Sequence, residues 1–277
     1  MKKLAVLLFA LLAASSALAE IQLPQPSPAA TVSQDIGISR VTVTYHRPGV
    51  RGRKVWGELV PLGQVWRLGA NEATTIELTH DAMVNGNAVP AGKYSLFAIP
   101  KAGEWTYVLN KQHEQWGAYF YKADQDLLRF NVKTEAVEPR EWFDIDLVPV
   151  SDRAIRVDVA WEKVRVPFTI EFDVEGLVWK QIDERVKAAD ATWEDFHSAA
   201  RYALTTGKRL DEAMRWIDAA MKTESFWNYE LKGQLLHHAG RTSEAILLME
   251  KAKALARGKA PQEWLDGVDQ QVASWMK

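Results

Sequence analysis

The sequence predicts an α+β protein in two parts: an antiparallel β-sandwich over residues 36–172, then an α-helical hairpin domain over residues 176–277. Three observations carry this. From Ile36 to Phe172 apolar residues recur at every second position in short runs separated by Gly, Pro and Asn turns. No helical period interrupts those runs, so they cannot be joined as parallel βαβ units. After Gly176 the period changes to about 3.6 residues.

The chain opens with Lys2 and Lys3, an apolar run from Leu4 to Leu12, and Ala17-Leu18-Ala19 before Glu20. These are the three parts of a secretory signal peptide, expected to be residues 1–19 with cleavage after Ala19. The apolar run is too short to span a bilayer, which needs about 20 residues. No later run approaches that length, so no membrane span is expected after signal removal. The expected location is the bacterial periplasm or the exterior. The chain contains no cysteine, so export would occur without disulfides and the cores must hold the fold alone. Without Lys2 and Lys3, 32 basic residues face 36 acidic ones, a net charge of −4. That balance gives no general attraction to nucleic acid.

Residues 20–35 read as an extended leader. Val41, Val43 and Tyr45 alternate with threonines and form the first half-buried strand. Thr74 to Thr79 forms the next. Asn85-Gly86 between Met83-Val84 and Ala88-Val89 marks a hairpin, because both central residues of a type I′ turn need positive φ. Strands follow at Tyr94–Ile99, Glu104–Asn110, Leu127–Val132, Trp142–Val148 and Ile155–Trp161, and Val164–Phe172 extends the sheet. Eight to ten short strands are expected.

Leu177, Ile182 and Val186 open the first helix. Thr192-Trp193-Glu194-Asp195 resembles an N-terminal cap, and Gly207 stands where a C-terminal glycine belongs. Further stripes run through Leu210–Ala220, Trp227–His238, Ala245–Ala256 and, after Pro261, Trp264–Trp275. Leu210-Asp211-Glu212-Ala213 recurs as Thr242-Ser243-Glu244-Ala245, 32 positions on. A helix pair repeated at that spacing resembles tetratricopeptide-type repeats, although the proline that usually ends such a repeat is missing. A protein partner bound through this helical part is one expectation.

Motifs of nucleophilic hydrolases are absent: there is no Gly-x-Ser-x-Gly elbow and no Ser-x-x-Lys. The six histidines lack metal-binding helical spacing, no phosphate-cradling loop precedes a helix, and no cofactor or metal is expected. Attention falls on the turn-rich stretch from Arg47 to Leu78. Between residues 40 and 67 stand Arg40, Arg47, Arg51, Arg53, Lys54 and Arg67 against the single acid Glu58. Guanidinium forks suit carboxylate or phosphate, so an anionic ligand is one reading. The other is that these arginines tie turns together through backbone carbonyls, with Glu72 as a partner for Arg67. Trp56, Trp66, Trp105, Trp116 and Tyr119 either form a sugar-stacking surface or fill the core. The spacing of Trp56 and Trp66 favours anchoring of the loop. The ligand candidates are Arg47, Arg53, Trp56, Trp66, Arg67, Asn71, Glu72 and Trp116. A glycosidase would need Glu72 and a second carboxylate, and Glu58, Glu104 and Glu114 are all open choices. His46, at a strand end, is the one histidine with two readings, an edge residue making one backbone hydrogen bond or a side chain facing a pocket, and the first is favoured.

Several blocks in this region resemble a known family. Arg47-Pro48, Gly52-Arg53-Lys54-Val55-Trp56-Gly57, Leu59-Val60-Pro61, Val65-Trp66-Arg67 and Gly69-Ala70-Asn71-Glu72-Ala73-Thr74 are similar to the signature of the bacterial exported family called domain of unknown function 2911. Ala91-Gly92-Lys93-Tyr94-Ser95-Leu96-Phe97-Ala98-Ile99-Pro100, Glu104-Trp105-Thr106, Asn110-Lys111 and Gln115-Trp116-Gly117-Ala118-Tyr119 resemble its later blocks. The resemblance covers about residues 26–165. It implies an exported β-rich domain and no assigned activity. His46 stands where the family more often carries serine. Together these readings predict a non-catalytic module for an anionic or carbohydrate-like envelope ligand. The alternatives are a hydrolase of envelope glycans and a purely structural sandwich.

Overall fold

The structure is a computed structural model that describes residues 23–277. The expected signal peptide, residues 1–19, lies outside the described residues. The chain divides into two compact units, one ending at Phe172 and the other beginning at Asp173.

Among the described residues the first unit contains ten strands: β1 (Ala29–Ile36), β2 (Ser39–His46), β3 (Thr75–Leu78), β4 (Ala82–Val84), β5 (Asn87–Val89), β6 (Gly92–Pro100), β7 (Glu104–Asn110), β8 (Asp126–Lys133), β9 (Glu135–Pro149) and β10 (Ala154–Glu171). They form a six-stranded sheet, in the order β1-β2-β3-β6-β7-β8, and a four-stranded sheet, β5-β4-β10-β9. All pairings between these strands are antiparallel.

Alternation does what the sequence predicts. Val41, Val43 and Tyr45 of β2 are buried while Arg40 and Thr44 face solvent. Asn85 and Gly86 both take positive φ between β4 and β5. The two sheets meet through aromatic rings and through tyrosine hydroxyls that bond across the layer. Tyr107 of β7 lies 4.9 Å from Phe168 of β10, and its hydroxyl donates to the Val166 carbonyl at 2.8 Å. Tyr45 packs on Phe143 of β9 at 5.8 Å and donates to Asp144 at 2.9 Å. Burial, with the neighbouring Asp144 charge, pushes the Tyr45 hydroxyl up to about 12. A buried hydroxyl without these acceptors would cost about 1–3 kcal/mol, so the bonds fix how the sheets face each other.

Two strand expectations need correction. Within the leader assigned to residues 20–35, residues from Ala29 onward form β1, paired with β2 from Ala29↔His46 to Ile36↔Ser39. The segment AATVSQDI buries little, so backbone pairing carries it rather than an apolar face. The strands expected at Ile155–Trp161 and Val164–Phe172 are one strand. Glu162, at φ 53°, sits between two register shifts in the β9–β10 ladder, and a bulge of this kind breaks the alternation without ending the strand.

The second unit contains six helices: α1 (Val174–Arg185), α2 (Trp193–Thr206), α3 (Leu210–Ala220), α4 (Phe226–His238), α5 (Thr242–Ala256) and α6 (Gln262–Trp275). Their ends follow the sequence signals. Asp195 accepts from the Thr192 amide at 2.7 Å at the start of α2, and Gly207 takes φ 66° at its end. Ala213 and Ala220 on α3, and their counterparts Ala245 and Ala252 on α5, are fully buried. Small residues there let paired helices approach closely. At Gly233 of α4 an added Cβ would lie 2.9 Å from the Met249 sulfur.

Two polar staples lock this unit. Arg209 sits between the rings of Trp179 and Trp216, at 4.9 and 5.1 Å, and bonds Asp183 at 2.7 Å and Glu212 at 2.6 Å. Fully buried Asn228 donates to the Ala220 carbonyl at 2.9 Å and lies 2.9 Å from His197 Nδ1. Burial lowers the His197 pKa; the Asn228 bond opposes this and the Arg201 charge adds to it.

Two expected outcomes follow. Gly69 has φ 145°, and a Cβ there would lie 2.7 Å from the His46 carbonyl oxygen, whereas Gly52, at φ 68°, has open space around it. Gly69→Ala should destabilise by about 2–4 kcal/mol and Gly52→Ala by about 1 kcal/mol. Urea unfolding followed by tryptophan fluorescence checks this, and equal losses would refute the close approach. The second outcome concerns pH. Unfolded His197 takes a proton near pH 6.5, and the folded protein resists it. Its stabilising contribution is therefore complete above pH 6.5 and lost as pH falls below that. The wild type should lose more melting temperature between pH 7 and 5 than His197→Gln, which keeps a donor for Asn228.

Candidate functional site

The chain between β2 and β3, residues 47–74, has no strand of its own and is held by aromatic packing. Gly57, at φ 89°, lets the chain turn so that the Val60 amide bonds the Val55 carbonyl at 2.8 Å. This turn presents Trp56 to Trp105 at 4.9 Å and to Trp66 at 5.8 Å. Trp66 exchanges two backbone hydrogen bonds with Ala98, at 2.7 and 3.0 Å, so the loop continues the ladder along β6. The Trp66 ring stacks on Trp161 at 6.0 Å and 15° and meets Phe143 edge-on at 5.5 Å. Trp56 and Trp66 thus anchor the loop, as their spacing predicts.

After Trp66 the backbone tightens. Leu68 and Asn71 take φ 55° and 56°, and Gly69 takes 145°. Leu68 is fully buried, and its carbonyl accepts from Thr74 Oγ1 at 2.5 Å. Left-handed leucine is strained, and such strain persists only where the surroundings over-determine it. The fold thereby leaves a cleft of about 300 Å³, lined by Ser27, Pro48, Arg53, Leu59, Trp66, Arg67, Asn71 and Trp161 among others.

The basic residues divide into two groups. Arg40 pairs with Asp35 at 2.5 Å, Lys54 with Glu58 at 3.0 Å and Arg47 with Asp144 at 3.1 Å. Arg47 also donates to the Phe143 carbonyl at 3.1 Å. Arg53 donates to the Val50 and Gly49 carbonyls at 3.1 and 2.6 Å, and Arg67 to the Asn71 carbonyl at 2.7 Å. Among the described residues neither Arg53 nor Arg67 pairs with a carboxylate. Their charges face a cleft that supplies no anion of its own.

The other candidates lie apart from this lining. Arg47 is absorbed by Asp144, and Trp56 by the aromatic cluster. Glu72 does not pair with Arg67 as expected. Its neighbours set up a short ladder, with the Ala73 amide bonding the Gln115 carbonyl at 3.1 Å and the Gly117 amide bonding the Asn71 carbonyl at 3.0 Å. Glu72 in that ladder places its carboxylate 3.4 Å from His46 Nε2. Arg67 takes the Asn71 carbonyl instead. Trp116, opposite Glu72 in the ladder, is half exposed. Arg53, Trp66, Arg67 and Asn71 are therefore the candidates that come together. Trp161, Ser27, Pro48 and Leu59 join them without having been singled out from sequence. Trp161 lies beside the β10 bulge and reads as an ordinary core residue.

No cluster of His, Cys, Asp or Glu suited to a metal ion occurs among the described residues. None of the described helices is long and apolar enough to cross a membrane.

The family described as "Protein of unknown function (DUF2911)" matches residues 27–170. The chain belongs to this family. No curated protein and no solved structure matches it. The DUF2911 match covers the β-unit and stops before α1. Of the blocks that carry the family resemblance, 52–57 and 65–74 supply residues of the cleft lining, 91–100 is largely β6, and 115–119 borders Arg67.

Within the DUF2911 unit, Gly117 is where the 115–119 block touches the 65–74 block. Its φ is 65°, and a Cβ there would lie 2.9 Å from Arg67 Cζ. Gly117→Ala should cost about 1–3 kcal/mol. In an Arg67→Ala background that cost should fall by at least about 0.5 kcal/mol. A double-mutant cycle measured by urea unfolding checks this, and strict additivity would mean that the two groups do not share the space.

Proposed function

We propose that the β-unit is a non-catalytic binding module that takes a small anionic group, carboxylate or phosphate, between Arg53 and Arg67, in the periplasm or beyond after export. One observation carries this reading: two guanidinium groups line a cleft of about 300 Å³ without a carboxylate partner among the described residues. Arg67 is half-buried and Arg53 exposed at the mouth, so enclosure strengthens the attraction of an anion mainly at Arg67. Trp66 and Trp161 offer apolar wall, and Asn71 offers a side-chain amide. A hydrolase of envelope glycans has less support. Glu72 pairs with His46, and neither residue belongs to the cleft lining.

The helical unit supplies a second surface, proposed as a platform for a protein partner. Met214, Leu236, Leu247 and Leu248 line a groove of about 380 Å³. Its charges are already matched, Lys232 with Asp218 at 2.7 Å and Arg241 with Glu244 at 2.6 Å. It therefore offers a partner apolar contact more than net charge.

For the β-unit, thermal unfolding of the mature chain is followed with phosphate, acetate and glucuronate at constant ionic strength. At a ligand concentration 100 times its Kd the expected stabilisation is about 2.7 kcal/mol, a rise of several degrees. The Arg53→Ala/Arg67→Ala double variant should fold and show no rise. No rise in the wild type with any anion, or an undiminished rise in the variant, would refute the site.

A further inference from the structure

The β7–β8 connection carries three large aromatic side chains into solvent. Trp116, Tyr119 and Phe120 are 51%, 73% and 62% exposed. Core filling does not account for them. Ala118 and Tyr121 of the same connection turn inward, packing against Ala73, Phe97 and Val108. Nor is the connection loose. Fully buried Asn110 donates to the Lys122 carbonyl at 2.9 Å and to Asp126 at 2.8 Å, closing its ends. The Gln115 and Gly117 backbones bond residues 73 and 71. A well-anchored segment that holds aromatic rings outward is suited to stacking.

Tyr119 joins this segment to the arginine cleft. The Asn71 carbonyl accepts from both Arg67 and the Gly117 amide, at 2.7 and 3.0 Å. The Arg67 guanidinium fills the space beside Gly117 and lies 5.3 Å from the centre of the Tyr119 ring. Arg67 is therefore shared: it lines the cleft and also touches the aromatic lip.

We propose that cleft and lip form one extended site for an acidic oligosaccharide, an inference that rests on the anion site proposed above. A ring carboxylate would lie between Arg53 and Arg67. The C–H face of the adjoining sugar ring would stack on Trp116 and Tyr119. Pyranose rings present such apolar faces, and tryptophan and tyrosine give a large contact area at little conformational cost. The chemistry selects against two simpler ligands. A lone anion would leave the lip uncovered, and a neutral glycan would leave two guanidinium groups unmatched. A long polyanion such as nucleic acid would meet a chain whose net charge is negative, −2 over the full sequence.

Calorimetric titration of the mature protein with glucuronate, a glucuronic acid trimer and a neutral glucose trimer, at one ionic strength, tests this. The acidic trimer should bind about ten-fold or more tighter than the monomer and than the neutral trimer. Trp116→Ala, at a half-exposed position, should keep the wild-type melting temperature and bring the trimer to the monomer's affinity. Equal binding of trimer and monomer, or a trimer advantage that survives Trp116→Ala, would overturn the extended site. Binding of phosphate that depends on Arg53 and Arg67, with no binding of either uronate, would overturn it while the anion site stands. Absence of any arginine-dependent anion binding would remove both.

Discussion

The β-unit depends on a knot of indole rings. Residues 47–74 form a connection far longer than the usual loop of about 4–6 residues, and a chain that long with only a few ladder bonds is costly to order. Trp56 and Trp66 offset this cost by packing against Trp105 from β7 and Trp161 from β10. The same rings contact both sheets, since β7 and β10 belong to different layers. Each such ring removes a large apolar area from water and fixes a direction as well, because edge-to-face and stacked pairs have preferred geometries. The cleft is a consequence. Its Trp66 and Trp161 walls are rings of the knot, and its arginine rim is the chain the knot holds down.

Backbone strain gathers at the same place. Of the non-glycine residues at positive φ in the β-unit, Arg51, Leu68 and Asn71 lie in this connection, and Asn85 and Glu162 lie in a hairpin turn and a bulge. The last two have ordinary explanations. Leu68 does not: a buried leucine in left-handed conformation is held by Thr74 and by the approach of Gly69 to the His46 carbonyl. A plain connection between β2 and β3 needs no such turn. The turn does bring the Asn71 carbonyl to Arg67, and both residues line the cleft.

Local patterns in the sequence were enough to foresee much of this. Alternation located most strands, Asn85-Gly86 its hairpin, and Thr192, Asp195 and Gly207 the ends of α2, because each depends on a few neighbouring residues. β1 was hidden because Ala29–Ile36 is held by pairing with β2 and not by an apolar face. The unity of β10 was hidden by a bulge. In the site, the arginine excess was legible but the fate of each arginine was not. Arg47 meets Phe143 and Asp144, nearly a hundred residues away, and nothing near Arg47 in sequence announces them. Glu72 looked like a partner for Arg67 by proximity, yet the ladder to Gln115–Gly117 gives it to His46. Trp161 could not be assigned to the cleft until the sheets were superposed.

The pairing habits of the arginines give the cleft its meaning. In the β-unit Arg40, Arg47, Arg129, Arg140, Arg153, Arg156 and Arg165 each reach a carboxylate. Arg209 of the helical unit reaches two. In a chain with more acidic than basic residues such matching is the easy outcome. Arg51, Arg53 and Arg67 depart from it, and all three fall within the one connection that the indole knot ties down. Arg51 is directed to the Pro26 carbonyl at 2.7 Å and lies near the Trp142 ring, so it fastens the chain ahead of β1. Arg53 and Arg67 also bond carbonyls, but on the cleft wall, where neutral acceptors order the guanidinium groups without cancelling their charge. A purely structural arginine gains from a carboxylate partner. An arginine held in place and left unneutralised is what the proposed anion site requires, and Arg53 and Arg67 are ordered by carbonyls without a carboxylate.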